Sequence, residues 1–374
     1  MCTDTNLSSE DRNPLLEMVG KPYAEYHDTY MQVVGSLLHG DSLSRTRLVA
    51  LFEEAAAFDK SGEWKLVNDL VANTVRFYNS RRGGFIWSSD YTAEDFSTDM
   101  KMLARRAEQK NFPFIRIYGL YQAAEGYRIF VKDYEQAFDC FLKVAAMLDS
   151  VTTKEFPPRP YIYNEIANLY YNFREYNDAI KYYEKVAADP DVTDNYYGSL
   201  NPAISGMALS YRNGFRDYDR SDSCFMALLK LTRAYEPDRV VWEGITEANI
   251  GYNFYLRKQP DMALKWLLPG IDKITRPNDF GFVSSRATDV AEIYLEKREL
   301  KAAKKYIDMA LDYHARTRIP EKESRLYEVL ARYYAVTGNQ KAAAIYLDST
   351  LMAKDKEAEA FSGLVLRRVE QRLR

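Results

Sequence analysis

The sequence predicts an all-α protein, a solenoid of antiparallel helical hairpins, on three observations. Small residues recur at Ala137, Ala179, Ser221, Ala263, Ala303 and Ala343, separated by 42, 42, 42, 40 and 40 residues. A second small residue leads each of the last five by twelve or thirteen positions: Ala167, Ala208, Gly251, Ala291 and Ala331. A proline precedes or opens the first helix of each unit, at Pro113, Pro160, Pro202, Pro237, Pro277 and Pro320. Self-similarity at a fixed period is the mark of a repeat array. Proline is tolerated at a helix start, where its missing N–H has no intrahelical partner.

Taken in order, residues 1–20 read as a polar, flexible N-terminal tail. Residues 21–112 hold helices near 22–39, 43–60, 64–79 and 93–110, and form a divergent helical start to the solenoid. Leu51, Ala55, Phe58, Val67 and Val71 imitate a hairpin around Gly62-Glu63-Trp64, whereas counting alternate helices back from residue 113 makes 43–60 a second helix. Alternation predicts two capping hairpins there, with Ser80–Trp87 as an insertion. Residues 113–353 hold six hairpins. Residues 354–374 form a C-terminal capping or linker helix, since no Gly or Pro stops it after residue 363. The whole amounts to about eight hairpins plus that last helix.

The clearest repeat is Tyr161 to Pro190. Tyr163, Ile166, Tyr170 and Tyr183 are large, Ala167 and Ala179 small, at spacings that place each set on one helical face. Numbered on a hairpin motif, Tyr163 is position 4, Ile166 position 7, Ala167 position 8, Tyr170 position 11, Ala179 position 20 and Tyr183 position 24. Position 11 recurs as Tyr211, Phe254, Tyr294 and Tyr334; position 24 is Phe141, Tyr183, Phe225, Leu267, Ile307 and Leu347. The small pair lets two helices approach, and the large residues fill the space around that contact. This pattern resembles the tetratricopeptide repeat, and its long period resembles the regulatory and sensor arrays of bacterial signalling proteins. The resemblance implies a right-handed superhelix. Two repeats depart from it. The first carries Glu125 and Arg128 where a one-residue shift, onto Gly126 and Ile129, restores the pattern. The third needs one extra residue in the link at Phe215–Asp219.

Composition narrows the function. The formal net charge is −3, which gives no field for a polyanion, so nucleic acid is not expected as a partner. No apolar run reaches the roughly 20 residues of a membrane span. Three cysteines and three histidines (Cys2, Cys140, Cys224, His27, His39, His314) are scattered without metal-ligand spacing, so neither a metal nor a cofactor is expected. No nucleophile elbow or phosphate loop stands out, Gly83-Gly84 lacking the following Lys-Ser/Thr, so an enzyme is not expected. The 30 tyrosines suit thin helical layers, where a ring packs and its hydroxyl still reaches water.

In the repeat family the first helices of successive hairpins line a groove, mainly through positions 2, 5, 9, 12 and 13. The resemblance therefore implies binding residues Tyr161, Asn164, Asn168, Tyr171 and Asn172, then Arg212 and Asn213, Tyr252 and Tyr255, Glu292 and Arg332. Rings and amides side by side suit a protein or peptide partner, or a small polar ligand. Gly206 stands where a chaperone-type carboxylate clamp would continue its asparagines, so that specificity is not expected. Cys2, ahead of a polar run, resembles the lipidated start of a mature bacterial lipoprotein. Together with the basic final helix it implies an extracytoplasmic, periplasmic-side sensor. The membrane would then be met only through the lipid or a flanking segment. The alternative is a cytoplasmic adaptor that scaffolds other proteins.

Overall fold

The computed structural model describes residues 13–80, 90–192, 200–233, 239–275, 280–317 and 323–372. Among them are sixteen α-helices and no strand. They are α1 (Tyr23–Leu38), α2 (Ser42–Phe58), α3 (Glu63–Ser80), α4 (Ala93–Gln109), α5 (Pro113–Glu125), α6 (Tyr134–Leu148), α7 (Arg159–Asn172) and α8 (Tyr176–Ala187). Then follow α9 (Leu200–Ser210), α10 (Tyr218–Arg233), α11 (Arg239–Leu256), α12 (Pro260–Thr275), α13 (Phe280–Glu296), α14 (Leu300–Thr317), α15 (Glu323–Val336) and α16 (Gln340–Arg372). The all-α solenoid is what the repeat pattern predicts. The helices fall into two compact units, divided between Ile162 and Tyr163.

The first unit is built on aromatic rings. Tyr26, Phe52 and Trp64 are almost wholly buried, and Tyr26 meets Trp64 at 5.0 Å. Tyr23 lies 5.2 Å from Phe114 and 5.3 Å from Phe156, tying α1 to α5 and to the segment before α7. Polar side chains set the helix starts. Asp41 accepts from the Ser44 N–H, and Thr92 with Asp95 forms a reciprocal capping box. One expectation needs correction here. Residues 13–20 are no flexible tail: Pro14–Met18 form a 3₁₀ turn, Leu15 is fully buried, and Asn13 Nδ2 donates to the Leu51 carbonyl at 2.7 Å. An asparagine cap and one leucine side chain suffice to fasten it. The insertion expected at 80–87 falls, after Ser80, outside the described residues.

The second unit shows why the small residues recur. Ala167, Ala179, Ala208, Ser221, Ala263, Ala291 and Ala303 are all fully buried where paired helices cross. At Gly251 an added Cβ would sit 2.8 Å from Leu267 N and 3.0 Å from the Ala263 carbonyl, so α11 and α12 touch at backbone distance. Tyrosines of positions 11 and 23 stack across the hairpin as Tyr170 on Tyr182, Tyr294 on Tyr306 and Tyr334 on Tyr346, with centroids 5.5 to 5.8 Å apart. This is where much of the tyrosine is spent. Leu347 departs from its expected core role and is 54% exposed, since among the described residues no further hairpin covers that side of α16.

A second periodic feature sits in the links. Lys132, Arg174, Arg216, Lys258, Arg298 and Gly338 all have positive φ, between 53° and 85°. Each stands five residues before the small residue of position 20. In four of them the next N–H reaches back to the carbonyl five residues earlier: Glu175 to Tyr170, Gln259 to Phe254, Glu299 to Tyr294 and Asn339 to Tyr334. That is the Schellman closure of a helix end. In the other two the bond spans six residues, Asp133 to Tyr127 and Asp217 to Tyr211. There the helix ends in a π turn, Gly126–Val131 and Tyr211–Phe215. These are the two repeats with a register anomaly. The π turn absorbs the extra residue inside the first helix, so the third hairpin's link keeps ordinary length instead of lengthening at Phe215–Asp219.

The last helix is unbroken from Gln340 to Arg372. The terminal helix expected over 354–374 is thus the continuation of the last hairpin's second helix. The run from Leu351 to Ala360, rich in Ala, Lys and Glu, gives it no reason to stop.

Candidate functional site

The first helices of consecutive hairpins in the second unit bring one set of polar and aromatic side chains together. It starts at α7, where the Tyr171 hydroxyl accepts from Asn213 Nδ2 at 2.6 Å. Asn213 Oδ1 in turn accepts from Arg212 Nε at 3.3 Å. Arg212 lies in the π turn after α9 and is 6% exposed. Its Nη1 donates to Asn249 Oδ1 at 3.1 Å and Asn253 Oδ1 at 3.4 Å, both on α11. Asn253 is itself held, donating to Ser221 Oγ and to Asp222 Oδ1.

Tyr252 is the centre of the set. The guanidinium carbons of Arg286, Arg212 and Arg325 lie 4.2, 5.0 and 5.6 Å from its ring centroid. Cations are drawn to an aromatic face, more strongly when shielded from water. Tyr255, one turn on, stacks against Tyr252 at 5.8 Å. Arg325 Nη1 donates to the Tyr252 hydroxyl at 3.1 Å, and its Nη2 to Glu292 Oε2 at 2.7 Å. Arg332, a turn or two along α15, closes on the other Glu292 oxygen. Asp289, only 1% exposed, faces Arg286 Nη1 at 3.0 Å and Arg325 Nη2 at 3.1 Å. A cleft of about 290 Å³ opens beside these groups, lined by Tyr255, Glu292, Ser324, Arg325, Glu328 and Lys354 among others.

Burial governs the charges. It pulls the Arg212 guanidinium down to about 10, with repulsion from Arg286 adding to it, yet leaves it cationic at neutral pH. Burial lifts the Asp289 carboxyl above its usual range, against the pull of Arg286 and Arg325. Burial, then Glu292, raises the Tyr255 phenol. Burial opposes the charge of Arg325 too, but Asp289, Tyr252 and Glu292 outweigh it.

Of the residues implied by the repeat resemblance, Tyr171, Arg212, Asn213, Tyr252, Tyr255, Glu292 and Arg332 meet in this set. Four do not. Asn164 is 4% exposed, inside the packing of α7. Asn168 accepts from the Tyr183 hydroxyl at 2.7 Å and donates to Glu165, so its amide joins the two helices of its own hairpin. Tyr161 belongs to the first unit, edge-on to Tyr121 at 6.3 Å. Asn172 is exposed at the end of α7. Arg286, Asp289, Arg325, Asn249 and Asn253 are additional members. Cys2 lies outside the described residues. Among those residues no group of three or more His, Cys, Asp or Glu side chains is placed to hold a metal ion.

In class the chain is a tetratricopeptide-like helical-repeat protein. Among solved structures it is similar to the apo form of RapI, with a TM-score of 0.65 at 11% identity over 90% of this chain and 98% of that one. It is similar also to aspartyl phosphate phosphatase F from Bacillus subtilis, with a TM-score of 0.53 at 13% identity over 95% and 96%. A third likeness is a Rap protein complexed with competence and sporulation factor, with a TM-score of 0.50 at 11% identity over 90% and 99%. At these identities what is shared is the fold. No protein-family model and no curated protein matches the sequence.

These likenesses overturn one expectation. The extracytoplasmic placement rested on Cys2 and the final helix, whereas the Rap proteins that share the fold work in the cytoplasm. No described helix is long and apolar enough to cross a membrane. A cysteine in a polar run was too weak a signal to carry a lipid anchor.

Proposed function

We propose that this protein is a cytoplasmic peptide-binding adaptor, non-catalytic itself, whose ligand lies along the first helices of the second unit. The observation that carries this reading is the continuous polar and aromatic set from Tyr171 to Arg332, contributed by successive hairpins. An extended peptide presents an amide every residue and a side chain on alternate faces, and a run of asparagines, tyrosines and arginines matches that demand. The Rap protein solved with competence and sporulation factor supports the reading, as a protein of this fold that carries a bound factor.

The test uses the full chain, immobilised and exposed to a pool of random hexapeptides. Asn213 is exposed and the Arg332 side chain is 41% exposed, so both can be truncated at little cost to packing. The double substitution Asn213→Ala with Arg332→Ala is expected to lower retention of the captured peptides at least tenfold while leaving the urea midpoint unchanged. Retention equal to that of the unaltered chain would place the ligand elsewhere.

A further inference from the structure

The arginines around Tyr252 are not balanced by the protein's own acids. Arg286 and Arg325 share Asp289, and Arg325 and Arg332 share Glu292. Arg212 has no carboxylate within ion-pair distance among the described residues. Its hydrogen bonds all go to asparagine oxygens, at 3.1 to 3.4 Å. Asp222 is linked to it only through Asn253 and is itself paired with Arg257 at 2.5 Å, and Asp289, whose field reaches Arg212, is already shared by Arg286 and Arg325. Arg286, 9% exposed, makes no hydrogen bond through Nε among the described residues. A buried charge without a partner costs several kcal/mol. A fold that keeps the unpaired guanidinium of Arg212 on the Tyr252 ring, with Arg286 on the same ring, therefore holds a place for a counter-charge.

We propose that Arg212, with Arg286 beside it, is the seat of a carboxylate on the bound ligand. This deepens the peptide-binding reading and rests on it. A planar carboxylate matches the guanidinium fork and can accept two parallel N–H bonds. The asparagines around Arg212 fix the fork without neutralising it, and Asn213, exposed at the rim, offers a neutral amide to the same oxygen pair or to the adjoining peptide group. Asp289 and Glu292 meanwhile repel a second acid from the α13 side, which makes the seat one for a single carboxylate. The carboxylate is either the peptide's C-terminus or an acidic side chain.

The experiment retains four hexapeptide pools on the full chain: C-terminal acid or amide, each with or without one glutamate. Pools bearing a carboxylate are expected to be enriched at least tenfold over the amide pool lacking glutamate. Enrichment of the acid pool without glutamate assigns the C-terminus, and enrichment of the amide pool with glutamate assigns the side chain. The preference is expected to fall to unity in Arg212→Gln. Because that variant could lose structure, a second measurement avoids substitution altogether: succinate should raise the thermal midpoint of the unaltered chain, and succinamide should not. Equal retention of all four pools would overturn the carboxylate seat while leaving a peptide groove standing. Retention of none would overturn both.

Discussion

Replacing Asp289 by asparagine is expected to cost about 3–5 kcal/mol of stability, the usual result of removing one partner from a buried ion pair. Asp289 is 1% exposed and stands 3.0 Å from Arg286 and 3.1 Å from Arg325. Burial raises its carboxyl above the normal range, so the pairing is no large net source of stability. The cost arises from what the substitution leaves behind: three guanidiniums within 5.6 Å of one ring, of which only Arg325 keeps a carboxylate, that of Glu292. Urea unfolding followed by helical circular dichroism measures it. Adding Arg286→Met to Asp289→Asn should recover most of the loss, because a stem of similar length fills the site without its charge. A single-variant loss under about 1 kcal/mol would mean that the cluster is far wetter than its burial indicates.

The second large effect is steric. Gly270 of α12 faces α11 so closely that a Cβ would lie 2.8 Å from Ala248 N, 2.8 Å from the Gly244 carbonyl and 2.9 Å from Ala248 Cβ. Two of those three atoms are backbone and cannot turn aside. Gly270→Val is therefore expected to lower stability by about 3 kcal/mol, at the upper end of core overpacking. Gly35, inside α1 with nothing within 4 Å of its would-be Cβ, is the control. Gly35→Ala should stabilise by about 0.5–1 kcal/mol, since it removes glycine's entropic penalty without a clash. Equal responses at the two glycines would contradict the close approach of α11 and α12.

The repeat was legible because close packing leaves the sequence little choice. Where helices cross at backbone distance only Gly, Ala or Ser fits, and such sites at a period of 40 to 42 residues announce themselves. The left-handed link residue was not legible in the same way. Five of the six are Lys or Arg, and only Gly338 carries the residue type that signals positive φ. The register anomalies at 125–129 and 215–219 were visible, but a π turn differs from a longer link only in where the chain spends its extra residue.

The site was half legible for a related reason. Arg325 occupies motif position 2 of its hairpin, one of the groove positions, and could have been named. Arg286, Asp289, Asn249 and Asn253 fall at positions 3, 6 and 10, outside the groove positions that the repeat resemblance implies. Here they carry polar groups that join the set around Tyr252 and Arg212. Asn164 and Asn168 show the converse. Their positions are right for a groove, but tyrosine-rich packing draws them inward, the Tyr183 hydroxyl taking the Asn168 oxygen.

The most direct measurement is amide hydrogen exchange on the full chain, with and without the tightest peptide recovered from the hexapeptide pool. The expected result is slowed exchange in the first helices α9, α11, α13 and α15 and in the π turn Tyr211–Phe215, with α10, α12 and α14 unchanged. Protection confined to the second helices, or to residues before Ile162, would contradict a ligand site built from Tyr171 to Arg332.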